Sequence, residues 1–365
     1  MKKFESKGKV KTVLGLIHNN QLGFTLPHEH FFGRWKTWFS EPEPCKPREK
    51  ELVHQPVSLK NLSWIRSHRH SNLDNLSLTD VQMAIDEAIL FKEAGGMTIV
   101  DVTPKFVGRD PAALVRIAQA ADINVIMGTA YYIEASYSSE MRVGSKNDKN
   151  IADEFVRDIT MGADNTGICA GIIGELGCSW PLTDNERKVL RAAAMAQQQT
   201  GAAITVHTPV DSHDEAALAI IKVLKESGAD ITRVIIGHIE LAMHSHSARC
   251  RLLETGCSIE WDRFGSDGQY PIIGSRNKSS LDNIPDIPND TERLNQIIRL
   301  VNEGYLDQIL ISQDVFTKID LTHFGGGGYG HILNNIIPLM RDKGMTEEHI
   351  NAITVQNPKR ILTLN

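Results

Sequence analysis

Cysteine is scarce and badly placed for pairing. The five residues, Cys45, Cys169, Cys178, Cys250 and Cys257, form an odd, scattered set with no C-x-x-C, which excludes a disulfide framework or a structural zinc knot and suits reduced thiols. No stretch approaches about 18 continuous apolar residues. The lysine-rich start, Met1 to Thr12, leads into no apolar segment, so a soluble, cytoplasmic chain without a membrane partner is expected. Excess positive charge is absent too, with 39 Lys+Arg against 45 Asp+Glu. No global basic field recruits nucleic acid, and any bound anion must be held by local groups. Finally, no G-x-G-x-x-G follows the first predicted strand, and Gly325 to Gly328 comes far too late to be a dinucleotide fingerprint.

What the chain does have is a regular alternation of short apolar runs and helical patterns. The runs are Gly23 to Leu26, Met97 to Val102, Asn124 to Gly128, Ala170 to Glu175, Ala203 to His207, Arg233 to His238, Ser258 to Trp261 and Gln308 to Ser312. Between them lie predicted helices such as Ser77 to Ala94, stopped by Gly95-Gly96, and Pro111 to Ala121, with Asp110 as N-cap and proline at the first position. Eight strand and helix units imply parallel pairing with right-handed crossovers. They predict an α/β chain folded as a (β/α)8 TIM barrel, a single domain over 1–365, in preference to an open doubly wound sheet. The stretch from Phe32 to Asp74 lacks periodicity and makes a long insertion, 32–76, after the first strand. Trp35, Trp38, Phe39 and Trp64 favour its being a folded lid, and exposed aromatics there are also compatible with a homo-oligomer.

The predicted strands finish on polar side chains. Gly23-Phe24-Thr25-Leu26-Pro27-His28-Glu29-His30 ends in a His-x-His pair, and residues two apart on a strand project from one face, so His28 and His30 point together. His68/His70 and His244/His246 repeat the spacing in polar segments without a strand pattern and are read as coincidence. Further on, the fourth strand ends in Glu175, the fifth in His207 and the sixth in His238, while Asp314 lies just past the eighth. A barrel gathers these ends around one mouth. Four imidazoles and two carboxylates are hard to bury without a metal and too many for one tetrahedral zinc with an open position. They fit two divalent ions about 3.5 to 4 Å apart, with Glu175 as the natural bridge. The donor set suits zinc first, then manganese, cobalt or iron.

These residues carry a resemblance. The first-strand motif, with Gly108-Arg109-Asp110-Pro111, Gly174-Glu175-Leu176-Gly177, Thr205-Val206-His207, Gly237-His238, Trp261-Asp262-Arg263-Phe264-Gly265, Ile311-Ser312-Gln313-Asp314 and Asn357-Pro358-Lys359-Arg360, resembles the phosphotriesterase family of the amidohydrolase superfamily. The resemblance implies a binuclear hydrolase with His28, His30 and Asp314 on one ion and His207 and His238 on the other. Members that attack phosphotriesters usually bridge their metals with a carbamylated lysine. Glu175 in that place brings the chain nearer the phosphotriesterase-related branch. Three residues after His238, where the family often has an acid for proton relay, stands Leu241, beside Glu240.

The chemistry expected is attack by a metal-bridging hydroxide on an ester or lactone carbonyl, with Asp314 as the base that moves the proton. Arg263 would anchor a substrate oxyanion. Arg276 and Lys278, together with the glycine run after the eighth strand, suggest a small anionic substrate such as a phosphorylated sugar lactone. Tyr131 is a substrate-contact candidate, and Tyr132, Lys105 and Arg109 are further lining candidates. The alternatives are an amide (N-acyl) or phosphoester substrate in the same site, and a non-catalytic, metal-stabilised binding protein.

Overall fold

The computed structural model describes residues 7–42, 46–210, 214–266 and 287–364. Among them, eight parallel strands follow one another in chain order around a single sheet: β1 (Thr25–Glu29), β2 (Thr98–Asp101), β3 (Asn124–Thr129), β4 (Ile172–Gly177), β5 (Ile204–His207), β6 (Val234–Ile236), β7 (Ser258–Trp261) and β8 (Ile309–Ile311). The two ends meet, because the His28 N–H donates to Ser312 Oγ (3.1 Å) and the Asp314 N–H to His28 O (3.3 Å). The chain is a (β/α)8 TIM barrel. Arg276 and Lys278 lie outside the described residues.

Alternation along the strands sorts the core into two layers. Val100, Ile126, Ile172, Ile235 and Leu310 form an inner cluster that Leu22, Val10, Ile361 and Leu362 close from below. Ile99, Val125, Ile173, Val206, Ile236, Ile259 and Ile311 belong to the outer cluster shared with the helices. That phase has a consequence for two site residues. Leu26 and Ile173 both face the helices, so strict alternation would send His28 and Glu175 outward as well. The ladder shifts register between Leu26 and Glu29, and again between Ile173 and Leu176. Each shift restores the inward direction at the mouth, the re-aiming that bulges provide beside functional sites.

Helices α1 (Val81–Glu93), α2 (Pro111–Ala121), α3 (Asp148–Thr160), α4 (Asp184–Thr200), α5 (Glu215–Glu226), α6 (His246–Leu253) and α7 (Asp290–Asn302) cover the barrel. The α1 helix starts later than the periodicity predicts. Asp80 caps it by accepting from the N–H groups of Gln82 and Met83, and Ser77–Leu78 instead pairs antiparallel with Gly33–Arg34. Two wide π turns, Ile332–Ile336 and Ala352–Gln356, come just before Pro338 and Pro358. They let the helical path continue past residues that would otherwise clash with the preceding turn.

The segment between β1 and α1 is folded, with short helices at Pro47–His54 and Leu62–Ser67. It stays near the barrel because its residues bond the loop after β8: Lys318 Nζ reaches Asp74 (2.7 Å) and the Ile319 N–H donates to Asn75 Oδ1 (3.0 Å). Glu29 ties the same loop down from beneath, accepting from Ser312 Oγ (2.7 Å) and from the N–H groups of Gln313 and Val315 (2.8 Å each). Glu29→Ala leaves those buried donors unmatched and is expected to cost about 3 kcal/mol. Urea unfolding measures this, and a loss below about 0.5 kcal/mol would contradict it.

Candidate metal centre

The six predicted side chains converge on one buried cup at the C-terminal mouth. Glu175 is its hub. Its Oε2 lies 3.2 Å from His207 Nδ1, 3.5 Å from His28 Nε2 and 3.8 Å from His238 Nε2, and its Oε1 lies 3.3 Å from His30 Nε2. Asp314 closes the ring, with Oδ1 3.2 Å from His30 Nε2 and 4.0 Å from His28 Nε2. Two triads, His28/His30/Asp314 and Glu175/His207/His238, each bring their ligand atoms within 4.8 Å of one another. His28 is fully buried, yet neither of its ring nitrogens has a hydrogen-bond partner among the described residues. A buried imidazole left so is costly; a cation beside Glu175 and Asp314 would satisfy Nε2, while Nδ1 faces Asp262 Oδ2 at 3.5 Å and Glu260 Oε2 at 3.6 Å.

The backbone here is shaped for the purpose. His238 and Asp314 both adopt left-handed φ, at +53° and +47°, a conformation that non-glycine residues pay for and that gathers at functional sites. Gly237 permits close approach: a Cβ there would sit 2.9 Å from Asp262 Oδ2 and 3.2 Å from Val206 O. Asp262 in turn orients His238, accepting from its N–H (2.8 Å) and pairing with Nδ1 (2.7 Å), which leaves Nε2 for the cup. On the other side Thr103 Oγ1 holds His30 Nδ1 at 2.9 Å. Burial alone would raise Glu175, but the imidazoles of His207, His238 and His28 hold its carboxyl well below the usual range.

Around the cup, several sequence expectations need revision. Tyr131 turns away: its hydroxyl donates to Glu154 (2.6 Å) and accepts from Lys146 (2.7 Å). It is Tyr132 that faces the mouth, with its hydroxyl 3.3 Å from His207 Nδ1. Arg109 is spent on Asp158 (3.1 Å) and Asp164 (3.0 Å), and Lys105 pairs with Asp164 (2.7 Å). Arg263 does reach the mouth, where its NH1 lies 2.6 Å from Asp314 Oδ2. Its own N–H is fixed by Glu240 Oε1 (2.9 Å), which also meets Arg293 Nε (3.2 Å). Glu240 is therefore a brace, and Leu241 lines the mouth.

The roof comes from the segment after β1. Trp35 stands over His30 with ring centroids 4.6 Å apart, and Trp38 lies 5.8 Å from His207 and donates to Tyr132 Oη (3.0 Å). Arg69 and His70 also line this mouth, although their stretch carries no strand pattern and the His68/His70 spacing reads as coincidence. His70 is buried, and that burial, reinforced by Arg69 and Arg263, pushes its imidazole down to about 3.

Two predictions follow from this geometry. His70 titrates near 6.5 in the unfolded chain, so between about 6.5 and 3 the unfolded state takes up the proton first, and stability falls as the pH drops through that window. His70→Gln should remove about 2 kcal/mol of the stability lost between pH 7 and pH 5 in urea titrations; equal acid sensitivity in both proteins would refute this. Asp262→Asn, by loosening His238, should weaken Zn2+ binding about 10- to 100-fold in chelator competition, and unchanged affinity would argue against the orienting role.

Comparison with known proteins agrees with the geometry. The chain is 40% identical over 379 residues to an N-acetyltaurine hydrolase of Dictyostelium discoideum, covering 99% of each. The human N-acetyltaurine hydrolase is 38% identical, with 98% of each chain covered. Among solved structures, a resiniferatoxin-binding protein from Rhodobacter sphaeroides superposes with a TM-score of 0.89 at 34% identity, over 97% of this chain and 95% of that one. The model of the Phosphotriesterase family matches residues 8–362, and with that match over nearly its whole length the chain belongs to the phosphotriesterase family.

Proposed function

We propose that the protein is a binuclear metal-dependent amide hydrolase that splits a small N-acyl amine into a carboxylate and an amine. The observation that carries the amide reading is the length-wide similarity to relatives named N-acetyltaurine hydrolase. The ester or lactone expected from sequence requires the same attacking group and differs in what leaves. The two triads around Glu175 support hydrolysis itself. His28, His30 and Asp314 would hold one divalent ion and His207 and His238 the other, with Glu175 between them and zinc the best match to the donors. Such a pair supplies hydroxide near neutral pH and polarises the acyl oxygen.

The chain's own groups do the rest. Burial opposes ionisation of Asp314, but the Arg263 guanidinium and His30 hold its carboxyl well below the carboxylate range. It is therefore charged, and it stands beside the cup as acceptor for the proton of the attacking water and donor to the departing nitrogen. An amine leaves only when protonated, so this transfer matters more for an amide than for a lactone. Burial, with Glu175 and Asp314 nearby, pushes the Tyr132 phenol well above its ordinary value. Its oxygen already accepts from Trp38, and its hydroxyl, in contact with His207 at 3.3 Å, would turn its proton to a developing oxyanion. Trp35 and Trp38 keep bulk water from the reacting groups.

A panel of N-acyl amines, lactones, esters and phosphotriesters, assayed with zinc and with manganese, tests the assignment. N-acyl amines should be the best substrates, and chelation should abolish turnover until metal is restored. Lactone turnover without amide turnover would contradict it. Tyr132→Phe should lower kcat on the amide about 100-fold with little change in KM. A second reading draws on the resiniferatoxin-binding neighbour: a metal-stabilised binding protein would hold two metals, fail on the whole panel and retain a small metabolite through purification.

A further inference from the structure

Away from the mouth, three side chains of different chemistry meet between α6 and α7. His246 and Cys250 stand one turn apart on α6 and so share a face. Glu303 is the residue that ends α7, where the negative end of the helix dipole favours a cation. His246 Nε2 lies 2.7 Å from Glu303 Oε2, and Cys250 Sγ lies 3.4 Å from that nitrogen and 3.6 Å from that oxygen. None of the three lines the mouth.

A hydrogen-bonded link between the helices would need only the His246–Glu303 pair, and a thiol, being a weak donor, adds little to it. What Cys250 does complete is a set of metal donors, with the three ligand atoms within 4.8 Å of one another. Around a tetrahedral zinc, with bonds of about 2.3 Å to sulfur and about 2.0 Å to nitrogen and oxygen, sulfur sits about 3.5 Å from its neighbours and nitrogen about 3.3 Å from oxygen. Both sulfur distances already fit, and the His246–Glu303 pair has to open by only about 0.6 Å. Arg299 Nε donates to Glu303 Oε1 (3.3 Å), which holds the carboxylate with Oε2 towards the thiol. The side chains of His246 and Glu303 are 20% and 39% exposed, so an ion can enter and water can complete its shell.

We propose that His246, Cys250 and Glu303 form a further metal site, outside the cup, that takes a thiophilic divalent ion such as Zn2+ with water as its fourth ligand. A thiolate among the donors selects Zn2+, Co2+ or Cd2+ over Mg2+ and Ca2+. Binding releases the Cys250 proton to solvent. The ion ties α6 to α7, the helix whose Arg293 meets Glu240 (3.2 Å). It takes no part in hydrolysis, and the site stands apart from the amide reading.

Titration with Co2+ reads the site directly, using the full chain without a polyhistidine tag and with Zn2+ already added for the cup. Every proposed ligand of the cup is nitrogen or oxygen, so a near-ultraviolet thiolate-to-cobalt charge-transfer band reports ligation by cysteine alone. The wild-type protein should develop that band up to one equivalent, and further Zn2+ should bleach it. Cys250→Ser should lose the band while melting at the wild-type temperature in the presence of chelator. His246→Asn and Glu303→Gln should each raise the Co2+ needed for half the band at least about 10-fold. Zn2+ should also slow alkylation of Cys250 by iodoacetamide at least about 10-fold in the wild-type protein. Absence of the band from the wild-type protein, or an unchanged band in Cys250→Ser, would overturn the proposal. Should Cys250→Ser not fold, His246→Asn decides: an unchanged Co2+ requirement there would overturn it equally.

Discussion

A single buried carboxylate facing four imidazoles is the constraint on which the site depends. Glu175 comes from β4, and the rings it meets come from β1, from the end of β5 and from just past β6. No local segment can build that contact, so the barrel must close before the cup exists. The energetic consequence is that the fold and the site share their most demanding requirement. Packing four rings around one carboxylate leaves polar atoms without a partner among the described residues, at His28 above all. Divalent ions held there would satisfy the nitrogens that face Glu175 and would link ion binding to the stability of the closed barrel.

The mouth is asymmetric. One wall is aromatic and reaches the cup through Trp35, Trp38 and Tyr132. The other carries the guanidiniums of Arg69 and Arg263 around Phe316, with the neutral His70 beside them. Both draw on the segment between β1 and α1, which Arg69, Asp74 and Asn75 lash to the loop after β8, while Glu29 ties that loop to β1. The barrel supplies the reacting centre, and the segment decides what can lie over it.

Much of this was legible in the residues. Strand ends bearing histidine or a carboxylate point to a common mouth, and the alternation of runs and helices gives the barrel. The failures are as physical as the successes. His28 and Glu175 face inward because register shifts reverse the phase set by Leu26 and Ile173, and a shift of register leaves no mark in a list of side chains. Tyr131 and Tyr132 are neighbours in an extended stretch, so one had to face the mouth and the other the helices. Nothing local fixed which. Arg69 and His70 were invisible as site residues, since their stretch lacks strand periodicity and only tertiary contacts bring it over the barrel.

The central claim is that two ions share Glu175 inside this cup. The most direct measurement is anomalous diffraction at the metal edge from crystals grown with zinc. The account predicts two peaks about 3.5 to 4 Å apart, one among His28, His30 and Asp314 and the other between His207 and His238. A cup free of anomalous signal, or a single ion coordinated away from Glu175, would contradict it.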